Sequence, residues 1–164
     1  MRAYRDFWTA CARWGRLEWI AENCAESAQP LTCVSALDAS GSEPPGTCGL
    51  HWPERWGGQP FRWTQPVATV PLLAPGAGLA TGWIELLPIR PPEELAHLRV
   101  TVDGRLVPLE HVGHGTRMRF EVAGGGLRWI GLACPPLPAT RRAPGDRREL
   151  ALPLAALELR AGGG

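Results

Sequence analysis

The sequence predicts an all-β protein, an antiparallel β-sandwich or jelly roll of about eight strands, with an N-terminal helical extension. The 164 residues include 20 glycines and 17 prolines, a composition typical of short strands joined by tight turns. Beyond Gly49, apolar and polar residues alternate with a period of two. Asp103-Gly104 stands between two apolar runs, the signature of a β-hairpin turn. A chain of this length forms one principal domain.

The first part of the chain has a different pattern. Between Tyr4 and about Glu26, apolar side chains recur at helical spacing, at Phe7, Cys11, Trp14, Leu17 and Cys24. This aromatic face needs a partner, either the rest of the domain or another chain. Residues 27–48 are rich in Ser, Gly and Pro, which is typical of a connector. We therefore divide the chain into residues 1–47, helix and connector, and residues 48–164, the β-sandwich domain.

The predicted strands follow in order. "ATVPLL" and "GWIELLPI" are strand patterns, and Pro71 and Pro88 place them at edges or strand ends because proline lacks the donor of a ladder hydrogen bond. "LRVTVDGRLVPL" forms the hairpin around Asp103-Gly104. "LRWIGLAC" predicts a more buried strand, and "ELALPLAALEL" predicts the last one. "TRMRFEV", which lies between the hairpin and "LRWIGLAC", predicts a half-solvated strand whose inward residues are Met118, Phe120 and Val122.

Charge and composition exclude several classes of function. The formal net charge is +1, so nucleic acid is not an expected partner, because phosphate binding needs clustered positive charge. There is no Lys, which excludes a Walker phosphate loop and a Schiff-base lysine. The sequence also lacks a G-x-S-x-G elbow, an H-E-x-x-H motif and a dinucleotide glycine fingerprint. We therefore expect no enzymatic activity and no cofactor.

Cysteine usage and hydropathy bear on the compartment. The five cysteines are odd in number and unevenly spaced, which argues against a disulfide framework. Charged residues interrupt the N-terminus, so we expect no secretory signal. No apolar stretch approaches the roughly 20 residues of a membrane span. The sequence thus predicts a soluble, cytoplasmic protein.

Three motifs in order resemble a known family. "GLHWPERWGGQPFRWTQPVATVPL", the "VTVDGR" hairpin and "GDRRELALPLAALEL" are similar to the β-sandwich accessory domain of bacterial glycosyltransferases and related sugar-pathway proteins. In that family a segment like Gly49-x4-Glu54 precedes an Arg-Trp-Thr strand, here Arg62 to Thr64. The family's Asp-x-Arg-x-Leu-Gly run is matched by Asp146, Arg148 and Leu150, with Ala151 in place of the glycine.

The resemblance covers roughly Cys48 to Arg160. It implies a sandwich in a carbohydrate-related context, in which the partner is a glycan or a glycosyltransferase. Self-association is a further expectation. The alternative is a structural or protein-interaction module that uses the aromatic N-terminal helix for assembly.

The candidate ligand site comprises Trp52, Glu54, Trp56 and Arg62. Flat indoles can stack on the apolar face of a pyranose while the charged groups hydrogen-bond its hydroxyls. The structural alternative is that Glu54 pairs with Arg62 or Arg148 to fix the strand ends. We expect Trp63, together with two further tryptophans, to fill the core, at Trp83 and Trp129.

The sequence favours neither an oxyanion site nor a metal site. Arg141-Arg142 and Arg147-Arg148 could chelate an oxyanion, but neighbouring carboxylates favour a solvated surface loop. Cys48-x2-His51 and His111-x2-His114 are the close pairs of potential metal ligands, and they lack the spacing of a zinc site. We predict no metal.

Overall fold

The computed structural model describes residues 34–113 and 116–162. The predicted N-terminal helix lies outside the described residues. One short helix, α1 (Pro92–Leu95), and one 3-10 turn (Ala139–Arg141) accompany the strands of this part. The strands are β1 (Ala36–Asp38), β2 (Cys48–Trp56), β3 (Gln59–Ala74), β4 (Leu79–Leu86), β5 (Arg99–Val102), β6 (Arg105–Val107), β7 (Glu110–Val112), β8 (Arg117–Ala123), β9 (Gly126–Ala133) and β10 (Pro153–Ala161).

These ten strands form one antiparallel sheet that curls into a half-barrel. Its order is β6-β5-β9-β3-β10-β4-β8-β7, while β1 pairs with β10 and β2 pairs with β3. The predicted antiparallel all-β class is confirmed. The division into two sandwiched sheets stays a prediction. None of the helices in the described ranges has the length and hydropathy needed to cross a bilayer.

Most strands of the sheet contribute to one main apolar core. In β8 the alternation predicted from "TRMRFEV" is confirmed, because Met118, Phe120 and Val122 are buried and the residues between them are not. Across the ladder, Gly82 of β4 pairs with Phe120. A Cβ atom at Gly82 would lie 2.2 Å from the Phe120 ring, so the ring occupies the space that the glycine leaves. Strand β4 therefore carries a glycine for packing.

The hairpin predicted at Asp103-Gly104 is also confirmed. Both residues have positive φ angles, 51° and 77°, and they join β5 to β6. The Asp103 carboxylate accepts hydrogen bonds from the Trp129 backbone N–H and from Arg128, both at 3.0 Å. Asp103 thus combines the turn conformation with a link to β9.

The sheet begins earlier than the predicted boundary at Cys48. Residues 34–47, assigned from the sequence to a connector, contribute β1, which pairs with β10 through Leu37 opposite Leu157. Leu37 belongs to the main core. A strand of three residues is too short to show a recognisable alternation of apolar and polar residues, so the sequence does not indicate β1.

The tryptophans expected in the core divide into two groups. Trp63 is 6 % exposed, as predicted. For Trp83 the prediction is wrong, because Gly82 and Ile84 face the core and the alternation of a strand then turns Trp83 outward. There the Arg117 guanidinium stacks 4.2 Å from the centre of its ring. Trp129 is likewise only half-buried.

Candidate functional site

The predicted site residues belong to the hairpin formed by β2 and β3. Gly57 and Gly58 connect Trp56 to Gln59, and both glycines have positive φ angles, 56° and 84°. Two consecutive residues with positive φ are the requirement of a type I′ turn, whose twist matches that of the strands. Arg55 donates a hydrogen bond to the Gly58 carbonyl at 2.9 Å. The tip of the hairpin is therefore a tight, internally bonded turn.

Two tryptophans of β2 are exposed, Trp56 beside the turn and Trp52 four residues earlier. Trp52 is 85 % exposed and Trp56 is 48 % exposed. The register of β2 against β3 shifts between Leu50 and Pro53, so Trp52 lies in an irregular part of the strand. Such bulges commonly change the direction of a side chain. Trp56 stands directly opposite Gln59 in the regular ladder. Both indoles of "HWPERWGG" thus face solvent, and a ligand surface there stays a prediction.

Glu54, between the two tryptophans, is held by an ion pair from a distant part of the chain. Arg148 donates from Nη1 to Glu54 Oε1 at 2.6 Å. The same guanidinium bonds Asp146, with Nη2 2.7 Å from Oδ2. Of the two arginines expected as partners for Glu54, the structure shows Arg148. The Glu54 carboxylate is therefore oriented by a contact within the chain.

The contacts of Arg148 shift two pKa values, that of Asp146 and its own. Hydrogen bonds from Arg148 lower the pKa of Asp146 to about 2. Hydrogen bonds to Asp146 and Glu54 raise the pKa of Arg148. Asp146 and Arg148 are two of the residues that carried the family resemblance, and Arg148 bonds both Asp146 and Glu54, a third.

Arg62 occupies a different position. Its side chain is directed away from Glu54, because Pro53 rather than Glu54 is opposite Arg62 in the ladder and adjacent residues face opposite sides. The residue is 5 % exposed. Its guanidinium donates to Glu43 at 2.5 Å and to three backbone carbonyls, of Ala39, Gly41 and His51. The donors of Arg62 are thus engaged inside the fold, where they hold the segment between β1 and β2.

A small apolar cluster supports the Glu54 side of the hairpin. Phe61, opposite Glu54 in the ladder, meets Trp63 edge-to-face with ring centres 5.8 Å apart. Three leucines from other segments complete the cluster, namely Leu87, Leu137 and Leu150. Because Leu150 follows Arg148 closely, the same segment supplies both the cluster and the ion pair. The face of the hairpin that carries Phe61 is therefore packed two residues from the turn flank, whereas Trp56 and Gln59 beside the turn are exposed.

The arginine loop and the described members of the close metal-ligand pairs have other contacts. Arg141 pairs with Glu94 at 2.7 Å, and Arg142 donates to the Arg148 carbonyl. Within residues 34–113 and 116–162, no group of three or more His, Cys, Asp or Glu side chains could hold a metal ion. His51 donates instead to the Glu149 carbonyl at 3.2 Å. His114 lies outside the described residues.

Gln59 was missed by the sequence analysis. The Trp-Gly-Gly-Gln run indicates its position, because a two-residue turn makes the residues on either side of the glycines direct neighbours.

No protein-family model matches the chain, and no curated protein matches it. Its function is therefore inferred from the geometry of the hairpin.

Proposed function

We propose that the chain is a non-catalytic module of the β-sandwich kind that binds carbohydrate, or positions a partner glycosyltransferase on one, through the tip of the β2–β3 hairpin. The observation that carries the proposal is the pair of exposed indoles, Trp52 and Trp56, with the fixed carboxylate of Glu54 between them. Arg62 is left out of the proposed contacts because its donors are engaged within the fold.

The arrangement suits a sugar chain. At about 3.3 Å per residue, four residues of strand separate the two indoles by at most about 13 Å, a span that allows contact with more than one sugar ring. An indole face is apolar and complements the C–H face of a pyranose. Glu54 supplies an ionised acceptor for hydroxyl groups, and hydrogen bonds to ionised groups are the stronger kind.

The expected affinity is modest. A fully enclosed aromatic side chain buries about 150–250 Å², so one face of each indole covers about 100 Å². At about 25 cal/mol per Å², the two faces contribute about 5 kcal/mol, and the cost of association offsets part of any added hydrogen bonding. A free energy near this value corresponds to a dissociation constant of about 0.1–1 mM.

Glycan-array screening followed by calorimetry tests the proposal. We expect the wild-type protein to bind a glycan and Trp56→Ala or Trp52→Ala to weaken binding by at least about tenfold, since each indole contributes more than about 1.4 kcal/mol. Trp83→Ala is the matched control, because Trp83 is a half-exposed tryptophan on a different strand. A wild-type protein that binds no glycan refutes the proposal.

A protein-interaction module is the second candidate. The exposure of Trp52 favours it, because tryptophan is enriched among the residues that anchor protein interfaces. The aromatic N-terminal helix predicted from the sequence would serve the same purpose. Light scattering separates the candidates: an oligomer that Trp52→Ala dissociates, in a protein that binds no glycan, supports interaction.

A further inference from the structure

The turn of the β2–β3 hairpin makes Gln59 the nearest cross-strand neighbour of Trp56. The two residues are paired in the antiparallel ladder, with the two glycines of the turn between them. Directly opposite residues project to the same face, with Cβ atoms about 4.5–5.5 Å apart. Both side chains are exposed. A ligand stacked on the Trp56 indole therefore lies within reach of the Gln59 amide.

Glu54 projects to that same face. It precedes Trp56 by two residues in β2, and alternate residues of a strand share a face. Its ion pair with Arg148 uses Oε1, whereas a carboxylate has about four acceptor positions on its two oxygens. The remaining capacity is available to a ligand. Because Arg148 also bonds Asp146 on its other side, the Glu54 carboxylate is held in a defined position.

We infer that Gln59 is a specificity-determining contact of this site, acting with Glu54 beside the Trp56 face, and that the ligand is a neutral, hydroxyl-rich sugar chain. This inference rests on the proposed function. A primary amide both donates and accepts hydrogen bonds, and a carboxylate accepts them. Together they match hydroxyl groups, each of which can donate to Glu54 or exchange both kinds of bond with Gln59.

The charges of this face disfavour an acidic sugar. The charge of Glu54 is balanced by Arg148, whose guanidinium is already bonded to both Glu54 and Asp146. A uronate or sulfate placed on the Trp56 ring would meet the Glu54 carboxylate, and like charges at short range repel. Arg55, the nearest arginine in sequence, pairs with Pro60 on the opposite face of the ladder. A neutral glycan avoids this repulsion from the Glu54 carboxylate.

Calorimetric titration of the full chain with three soluble polymers tests the inference. The probes are a neutral glucan, a neutral mannan and the acidic polymer polygalacturonate. We expect binding to a neutral polymer, with Gln59→Ala weakening it about tenfold, the equivalent of about 1.4 kcal/mol. Gln65→Ala is the matched control, because Gln65 is an exposed glutamine of the same strand, about 20 Å from the tip at about 3.3 Å per residue. This variant should bind as the wild type does.

The possible failures are distinguishable. If Trp56→Ala abolishes binding while Gln59→Ala and Gln65→Ala bind equally well, the role of Gln59 is refuted and the proposed function stands. If the wild type binds polygalacturonate in preference to the neutral polymers, the ligand class is refuted. If it binds no polymer at all, the proposed function and this inference fall together. Circular dichroism melts of each variant establish that a loss of binding is not a loss of fold.

Discussion

Replacing Arg62 by methionine is expected to destabilise the fold strongly without touching the exposed tip of the hairpin. The guanidinium makes four hydrogen bonds: to Glu43 at 2.5 Å and to the carbonyls of Gly41 at 2.9 Å, Ala39 at 3.2 Å and His51 at 3.3 Å. Methionine keeps an unbranched apolar stem like that of arginine but provides no donor. The variant therefore isolates the hydrogen bonds from the packing.

The magnitude follows from these contacts. A hydrogen bond to a charged group contributes about 1.5–3 kcal/mol, and the two longest bonds fall at or below the lower end of that range. Glu43 remains partly exposed, so water replaces its lost partner at little cost. We expect the free energy of unfolding to fall by about 3 kcal/mol in total. For a protein of this size the fall in Tm is about 6–12 °C.

Urea denaturation gives the measurement, as a shift in midpoint at unchanged slope. The matched control is Arg55→Met on the same hairpin, because Arg55 is exposed and, within residues 34–113 and 116–162, its side chain makes one hydrogen bond, to the Gly58 carbonyl. It should change stability by less than about 1 kcal/mol. If Arg62→Met costs no more than Arg55→Met, the assignment of Arg62 to a structural role is refuted, and its place among the ligand contacts must be reconsidered.

Two further substitutions test the packing and the ion pairs. Gly82→Ala should lower the free energy of unfolding by about 1–3 kcal/mol, because the new methyl group would lie 2.2 Å from the Phe120 ring. Gly78→Ala is the control, because a Cβ atom there would meet no atom within 4 Å. Equal Tm values for the two variants would contradict the close packing of Gly82 against Phe120. Asp146 has a pKa lowered to about 2, so its stabilising pair with Arg148 is fully present above about pH 4 and is lost as the pH falls through 2. The stability difference between wild type and Asp146→Asn should therefore vanish at low pH, and a difference that persists at pH 1.5 would contradict this reading.

Local pattern was sufficient for some elements of the fold. Strand β8 alternates between apolar and charged residues, and a strand with one face on the core must place Met118 and Phe120 inward. The Asp103-Gly104 turn was equally predictable, because few residue pairs adopt two consecutive positive φ angles. Both features depend on residues that are neighbours in the sequence.

Other features depend on segments far apart in the sequence. Arg62 is buried because the segment between β1 and β2 covers it, and no local pattern indicates that cover. Glu54 and Arg148 are 94 residues apart, so only the structure shows that Glu54 pairs with Arg148 and not with Arg62. Trp83 faces outward because Gly82 faces the core beneath Phe120, a cross-strand relationship that composition alone does not reveal.

Folding accounts for Glu54 and Arg62 of the β2–β3 hairpin but not for the two tryptophans of β2. Arg62 holds the segment before β2, and Glu54 joins the hairpin to Arg148. Of the tryptophans that the structure describes, the two that are exposed both lie in β2, Trp52 and Trp56. An indole that is 85 % exposed, as in Trp52, buries too little surface to stabilise the fold, and changes at such positions usually alter stability by at most about 0.5 kcal/mol. Single exposed apolar residues are ordinary, but two exposed tryptophans within five residues of one strand are a feature that binding to a ligand would explain.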